Sequence, residues 1–194
     1  MYQLRFNPKF LISAVALSMV FVYAITPVTA KDATPAVKNY AVFNENGELQ
    51  RPAGYREWIY IGSPLTPNDM NDDKAAFPEF HNVYIDPGSY NHWKKTGEFR
   101  ENTVIIKELA SVGTKEAPSG NGYFQGEYGG IAGMVKSATR YPDRPGNWAY
   151  FGFPADSRHG AIQEDSACSA CHQDHAGQDQ VFTQFYPVLR AAKP

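Results

Sequence analysis

Two cysteines three positions apart, followed directly by a histidine, constrain this chain more than any other feature. Cys168, Cys171 and His172 form this pattern, and the 194 residues contain 2 cysteines in all. The pattern is typical of a covalently bound c-type haem, in which each thiol forms a thioether and the imidazole binds iron. A disulfide, a redox pair and half of a zinc site are the alternatives, and His175 is the nearest further zinc ligand. We predict one haem c per chain, with His172 as the metal ligand.

Residues 1–30 have the composition of a secretory signal peptide. Arg5 and Lys9 precede an apolar run, and small residues end the segment at Ala30. The run is shorter than the ~20 apolar residues of a membrane-spanning helix, so cleavage is favoured over an uncleaved anchor. We expect a periplasmic protein with one domain over residues 31–194 and no membrane association after cleavage. Export also agrees with the cysteine pair, because c-type cytochromes mature outside the cytoplasm.

Strand-like segments alternate with turns through most of the chain, and helical segments come at its end. Asp86 and Pro87 predict the start of a helix, and Gly97 predicts its end. This order predicts an α+β fold, mainly antiparallel β sheet, with a C-terminal helical segment that carries the haem-attachment motif. The net charge of −2 gives no electrostatic reason to bind nucleic acid. Predicted strands cover residues 55–62, 81–86, 103–112, 123–134 and 147–153, and helical composition covers residues 164–175 and 181–190, with Pro187 as an interruption.

Lys107 lies in the clearest predicted strand. Strand alternation puts Lys107 on the same face as Ile105 and Leu109, and puts Glu108 on the other face. A lysine between two aliphatic side chains is unusual for a solvated face. Periodicity alone nevertheless favours a lysine on an edge strand whose ammonium group reaches water.

Residues 103–109 read Thr-Val-Ile-Ile-Lys-Glu-Leu. With four further segments in the same order, they resemble the cytochrome P-460 family from about Asn44 to the C terminus. The resemblance implies an exported homodimer with a mainly antiparallel β fold and one c-type haem per chain. It also implies a covalent bond from the Lys107 nitrogen to the haem macrocycle, with His172 as proximal ligand and the opposite iron position open. The four further segments are residues 55–58, 83–87, 118–123 and 181–189.

The family's reaction, as the resemblance implies it, is oxidation of hydroxylamine through an iron-nitrosyl to nitrous oxide or nitric oxide, with a soluble cytochrome as electron acceptor. Phe77 matches a phenylalanine that leans over the open iron face, although the residue alone equally predicts a core aromatic. A distal carboxylate relays protons in the fully competent members. Counting along the strand places that position at Ala132, which predicts an impaired later step. Glu127 is a weak substitute, because alternation turns it to the opposite face unless a glycine bulge intervenes.

Other functions and residues remain open from the sequence. A five-coordinate cytochrome that binds nitric oxide without turnover, like the related cytochrome c-prime-beta proteins, is the main alternative. A six-coordinate electron carrier would use Met134 or Met70 as its second axial ligand. The histidines outside the motif are expected at the surface or on helices, and an acidic loop is expected to be solvated or to bind calcium weakly. The histidines are His81, His92 and His159, and the acidic loop contains Asp69, Asp72 and Asp73.

Overall fold

A computed structural model describes residues 38–154, 156–166 and 168–194. The predicted signal peptide, residues 1–30, lies outside the described residues. Within the described ranges, no helix has the length and hydrophobicity needed to cross a membrane.

The described chain is built around one seven-stranded sheet in which every pair of neighbouring strands is antiparallel. The short first and second strands form the two edges, and the longer strands lie between them. The order across the sheet is β1-β7-β6-β5-β4-β3-β2. The mainly antiparallel fold is therefore confirmed. The strands are β1 (Leu49–Gln50), β2 (Ile59–Gly62), β3 (Phe80–Ile85), β4 (Val104–Val112), β5 (Gln125–Lys136), β6 (Trp148–Phe153) and β7 (His159–Ile162).

The α-helices of the described ranges are short. The first, α1 (Pro87–Thr96), begins and ends as predicted, because the Asp86 side chain accepts from Ser89 N and Gly97 ends the helix at φ 71°. The other two are α2 (Ser169–His175) and α3 (Pro187–Ala192).

Three local predictions are wrong. The helix predicted over residues 164–175 forms only from Ser169 onward, as α2. Pro187 starts α3 instead of interrupting it, because a first helical position needs no backbone N–H. The strand predicted over residues 55–62 begins at Ile59, after a 3₁₀ turn over Tyr55–Glu57.

Apolar side chains are buried on both faces of the sheet. One face packs against α1 and α3, where Trp93 stacks on Phe99 and donates a hydrogen bond to the Leu189 carbonyl. The other face is covered by the segment that precedes β2, and its core includes Leu49 and Ile106. The helix-covered face carries the residues discussed below, and we call it the helix face.

Lys107 does not lie on an edge strand. Its strand, β4, is hydrogen-bonded to β3 on one side and to β5 on the other, so the edge-strand prediction is wrong. The predicted alternation is confirmed, because Ile105 belongs to the core of the helix face and Ile106 to the opposite core. Glu108 points with Ile106 and accepts hydrogen bonds from Tyr55 Oη and Arg56 Nε. Lys107 is thus held on the helix face of a central strand.

A bulge interrupts the pairing of β4 with β5. Leu109 pairs with Gly130 and Ala110 with Tyr128, so β5 has one extra residue, Gly129, at this point. The extra residue reverses the alternation, which returns Glu127 to the helix face. Strand alternation alone would have turned Glu127 to the face opposite Ala132, and the bulge at Gly129 is the exception that the sequence allowed. The Glu127 side chain is exposed, so solvent surrounds it.

The buried Asp86 carboxylate connects α1 to β4 and to Arg100. This fully buried carboxylate accepts from Ser89 N at 2.9 Å, Val104 N at 3.0 Å and Arg100 Nη2 at 3.1 Å. We expect Asp86→Ala to lower the free energy of unfolding by about 3 kcal/mol, because it removes a helix cap and leaves buried donors unpaired. Chemical denaturation of the holoprotein measures this loss. Asp143→Ala, at an exposed position, is the control, and equal stability of the two variants would contradict the prediction.

Candidate functional site

The cysteines of the motif lie at the start of α2. Cys168 is its N-cap residue and is half-buried, Cys171 is exposed one turn later, and both are free thiols. Residues three apart lie on the same side of a helix, so both sulfur atoms are available to one flat ligand. Burial raises the pKa of the Cys168 thiol, and the positive charge of Lys107 opposes this shift.

The ring of His172 is fixed on three sides. It lies 4.7 Å from the ring of Tyr150 and 4.7 Å from that of Phe182, measured between centroids. Its Nδ1 lies 2.6 Å from the Gln180 carbonyl oxygen. Because a carbonyl oxygen only accepts, Nδ1 carries the proton and Nε2 keeps a free lone pair. Burial lowers the pKa of His172, which favours the neutral imidazole that binds metals.

Lys107 is a half-buried amine without an opposite charge in direct contact. Its Nζ lies 4.4 Å from the centroid of the Phe77 ring. In the described part of the chain, no salt bridge reaches it. Burial lowers the pKa of Lys107, and the negative charges of Cys168, Glu79 and Cys171 oppose this shift. The neutral amine is therefore more accessible here than for a solvated lysine.

Ala132 lies directly opposite Lys107. The two residues pair across β4 and β5, and Ala132 pairs on its other side with Gly152 of β6. Paired residues share a face of the sheet, so the methyl group of Ala132 lies beside the Lys107 side chain. A longer acidic side chain at position 132 would extend toward Lys107. Ala132 is therefore a neighbour of Lys107, and its assignment to the position of the distal carboxylate stays a prediction.

Phe77 covers Lys107 from the loop that precedes β3. Its side chain is 52% exposed, so the prediction of a core aromatic is wrong. The ring makes an edge contact with His81 at 5.9 Å between centroids and 73° between planes. Phe77 thus contacts Lys107 and His81 together.

The register places Lys107 between two groups of side chains. On one side, the ring of His172 packs on Tyr150 of β6. Tyr150 pairs with Met134 of β5, and Met134 pairs in turn with Ile105 of β4. On the other side, His81 of β3 pairs with Leu109. Ile105 and Leu109 flank Lys107 on the same face, so the motif helix and the Phe77–His81 pair lie on opposite sides of the amine.

Residues 52–183 match the family model Cytochrome P460. The chain belongs to the cytochrome P460 family. No curated protein matches it. Membership makes the protein a haem cytochrome and supports the predicted haem and iron.

The residues of this family member fit a haem. The His172 tautomer leaves Nε2 for iron, and two free thiols lie on the same helix. Two buried hydroxyl oxygens near the motif, Tyr150 Oη and Ser169 Oγ, have no hydrogen-bond partner among the described protein atoms. Burying a polar atom without a hydrogen bond costs free energy. The two unpaired hydroxyl groups beside the motif therefore agree with a ligand there that has polar groups.

Sequence reasoning missed Glu79 and His81. His81 was expected at the surface, but its Nε2 atom is buried and lies near Lys107. Val83 of β3 pairs with Lys107, and His81 is two residues before Val83. Strand alternation therefore puts His81 on the same face as Lys107, which is the signal that could have identified it. Only the register between the two strands reveals that neighbourhood.

The remaining candidates lie elsewhere. Met134 is buried in the core of the helix face, whereas Met70 is 73% exposed. Both carboxylate oxygens of Asp69, in the acidic loop, accept hydrogen bonds from protein groups, one from Lys115 and one from Tyr123. Within residues 38–154, 156–166 and 168–194, no group of three His, Cys, Asp or Glu side chains could hold a metal ion. The half-buried His92 and His159 and the exposed His175 lie on α1, β7 and α2.

Proposed function

We propose that this protein is a periplasmic c-type cytochrome that oxidises hydroxylamine to nitrous oxide or nitric oxide and passes the electrons to a soluble cytochrome. The observation that carries this proposal is Lys107, a desolvated amine on a central strand, facing the helix of the haem motif. The signal peptide and a homodimeric assembly are part of the same proposal.

Four side chains would hold the haem. Cys168 and Cys171 would form the thioethers, His172 would bind iron through Nε2, and the Lys107 nitrogen would form a further bond to the macrocycle. The haem supplies the redox chemistry, accepting electrons from hydroxylamine and releasing them to the acceptor. The hydrogen bond from His172 Nδ1 to the Gln180 carbonyl orients the imidazole and strengthens it as a ligand.

The surroundings of Lys107 favour bond formation by its nitrogen. An ammonium group has no lone pair, so the amine must be neutral to react. The new bond would replace one N–H bond of the amine and one C–H bond of the macrocycle, and the two protons and two electrons released would go to water and to an external two-electron oxidant. Burial beside Ile105 and Leu109 lowers the pKa of Lys107, and the Phe77 ring covers the nitrogen. The same ring limits access of water to this side of the site.

The most informative experiment combines peptide mapping of the exported protein with its reduced absorption spectrum. We expect haem on the peptide of Lys107 as well as on that of Cys168 and Cys171, and a broad main band strongly shifted to the red. Hydroxylamine should reduce an added electron acceptor in the presence of the protein. An ordinary c-type spectrum together with no acceptor reduction would reject the proposed activity.

Ala132 favours a second candidate, a cytochrome that binds nitric oxide without turnover. Oxidation of hydroxylamine releases protons, and a methyl group cannot accept them. If the protein binds nitric oxide tightly but hydroxylamine reduces no acceptor, this second function is correct.

Introducing an acid at position 132 should change the product. We expect Ala132→Glu to raise the yield of nitrous oxide from hydroxylamine by about tenfold, at the low end of what a positioned acid–base group contributes. Gas chromatography of the product measures the yield. Ala132→Gln, with the same shape and no acid, is the matched control. Equal yields from the two variants would show that position 132 has no role in proton transfer.

A further inference from the structure

Two buried polar atoms beside Lys107 have no partner among the described residues. They are Nε2 of His81 and Oε2 of Glu79, both without a hydrogen bond to protein. Burying such atoms unpaired costs free energy, and native proteins rarely retain them without a use. Neither atom has a role in holding the haem in the proposal above.

His81 is placed toward Lys107 and Phe77. It lies two residues before Val83, the direct β3 partner of Lys107, and therefore on the same face. Its ring contacts the Phe77 ring, and the Lys107 nitrogen lies over that same ring. The motif helix lies on the opposite side of Lys107, so His81 and His172 would approach a haem held there from different sides.

His81 is held in its uncharged form. Burial first, and the positive charge of Lys107 second, lower the pKa of His81 to about 4. The imidazole is therefore neutral near pH 7 and has one nitrogen with a free lone pair. A bond between Lys107 and the macrocycle would remove the ammonium charge and so make His81 more basic.

Glu79 connects this neighbourhood to solvent. Its negative charge acts on Lys107, and Glu79 comes two residues before His81 in the chain. Glu79 also lines an open surface cavity of about 420 Å³, together with Ser111 and Lys115. One carboxylate oxygen is thus buried near the amine, while the residue borders water.

We propose that His81 accepts the proton that hydroxylamine releases, in place of the acid that Ala132 lacks, and that Glu79 passes it to solvent. The bond that breaks is an N–H or O–H bond of the substrate. Its proton goes to the lone pair of the His81 imidazole and then, through water, to the cavity that Glu79 lines, where the carboxylate relays it to bulk solvent. The electrons leave separately, to the soluble acceptor cytochrome. This inference rests on the proposed function.

The test measures the affinity of the ferric holoprotein for hydroxylamine, by absorption, without electron acceptor. We expect His81→Leu to weaken this binding by about tenfold, the equivalent of one hydrogen bond. In a separate turnover assay with an electron acceptor, we expect kcat of His81→Leu to fall by about 100-fold. His81→Gln should bind within about twofold of wild type, because its amide still forms hydrogen bonds. Its kcat should fall as far as that of His81→Leu, because an amide does not take up a proton. His92→Leu, at another half-buried histidine, is the matched control.

Glu79→Gln tests the exit to solvent. We expect unchanged affinity and a fall in kcat of about tenfold, less than for His81 because water partly replaces the carboxylate. Glu116→Gln, at an exposed position, is its control. A kcat for Glu79→Gln equal to this control would overturn the role of Glu79.

Failure of this inference differs from failure of the proposed function. If wild type turns over hydroxylamine and His81→Leu and His81→Gln match His92→Leu, the role of His81 is overturned and the activity stands. If wild type binds hydroxylamine without turnover, the activity and the proton transfer are both rejected, and weaker binding by His81→Leu still supports its contact with the ligand. Circular dichroism of each variant confirms that the fold is retained.

Discussion

Lys107→Ala protein will carry its haem on one peptide and will show an ordinary c-type spectrum when reduced. In wild type, the haem should link the peptide of Lys107 to the peptide of Cys168 and Cys171. The alanine variant has no amine at this position, and the structure places no second lysine beside the Phe77 ring among the described residues. We expect hydroxylamine-dependent reduction of the acceptor to fall by at least about 100-fold, since the electronic structure of the cofactor changes.

The control for this prediction is Lys95→Ala. Lys95 is an exposed lysine on α1 and should leave the spectrum and the peptide map unchanged. Lys107→Arg adds a second comparison, because it keeps a positive charge but stays protonated at any accessible pH. If either Lys107 variant keeps the red-shifted band, the lysine nitrogen is not bonded to the macrocycle.

Removing both thiols should abolish stable haem attachment. We expect Cys168→Ala combined with Cys171→Ala to yield less than about a tenth of the wild-type holoprotein, because the pattern attaches haem through its two thiols. His172 alone would then hold the haem before any bond to Lys107 forms. Haem-stained denaturing gels and the ratio of haem to protein absorbance measure the loss.

Gln173→Ala is the matched control for the cysteine variant, since it changes an exposed residue of the same helix, α2. This variant should incorporate haem like wild type. Haem that survives denaturation in the double cysteine variant at wild-type yield would show that the thioethers are not the attachment. It would then point to Lys107 as the sole covalent link.

Local sequence signals were sufficient for most elements of the fold. Both ends of α1 were predicted to the residue, from the cap at Asp86, the proline after it and the glycine at position 97. Helix ends can be predicted in this way because they depend on side chains within one turn. Alternation placed Ile105 and Ile106 on opposite faces of β4. The short strands β1 and β7 were missed, because two to four residues carry too little periodicity to be detected.

The cysteine motif and the strand around Lys107 were evident from residue type and spacing along the chain, whereas Ala132 was singled out only by the family resemblance, and its position opposite Lys107 depends on the β4–β5 register. Whether β4 is an edge or a central strand was not evident, since that depends on which strands pair with it, and the edge-strand prediction was wrong. The bulge at Gly129 likewise changes which face Glu127 occupies. Tertiary structure alone brought Glu79, His81 and Phe77 to Lys107, because cross-strand register and loop packing bring together residues about 30 positions apart.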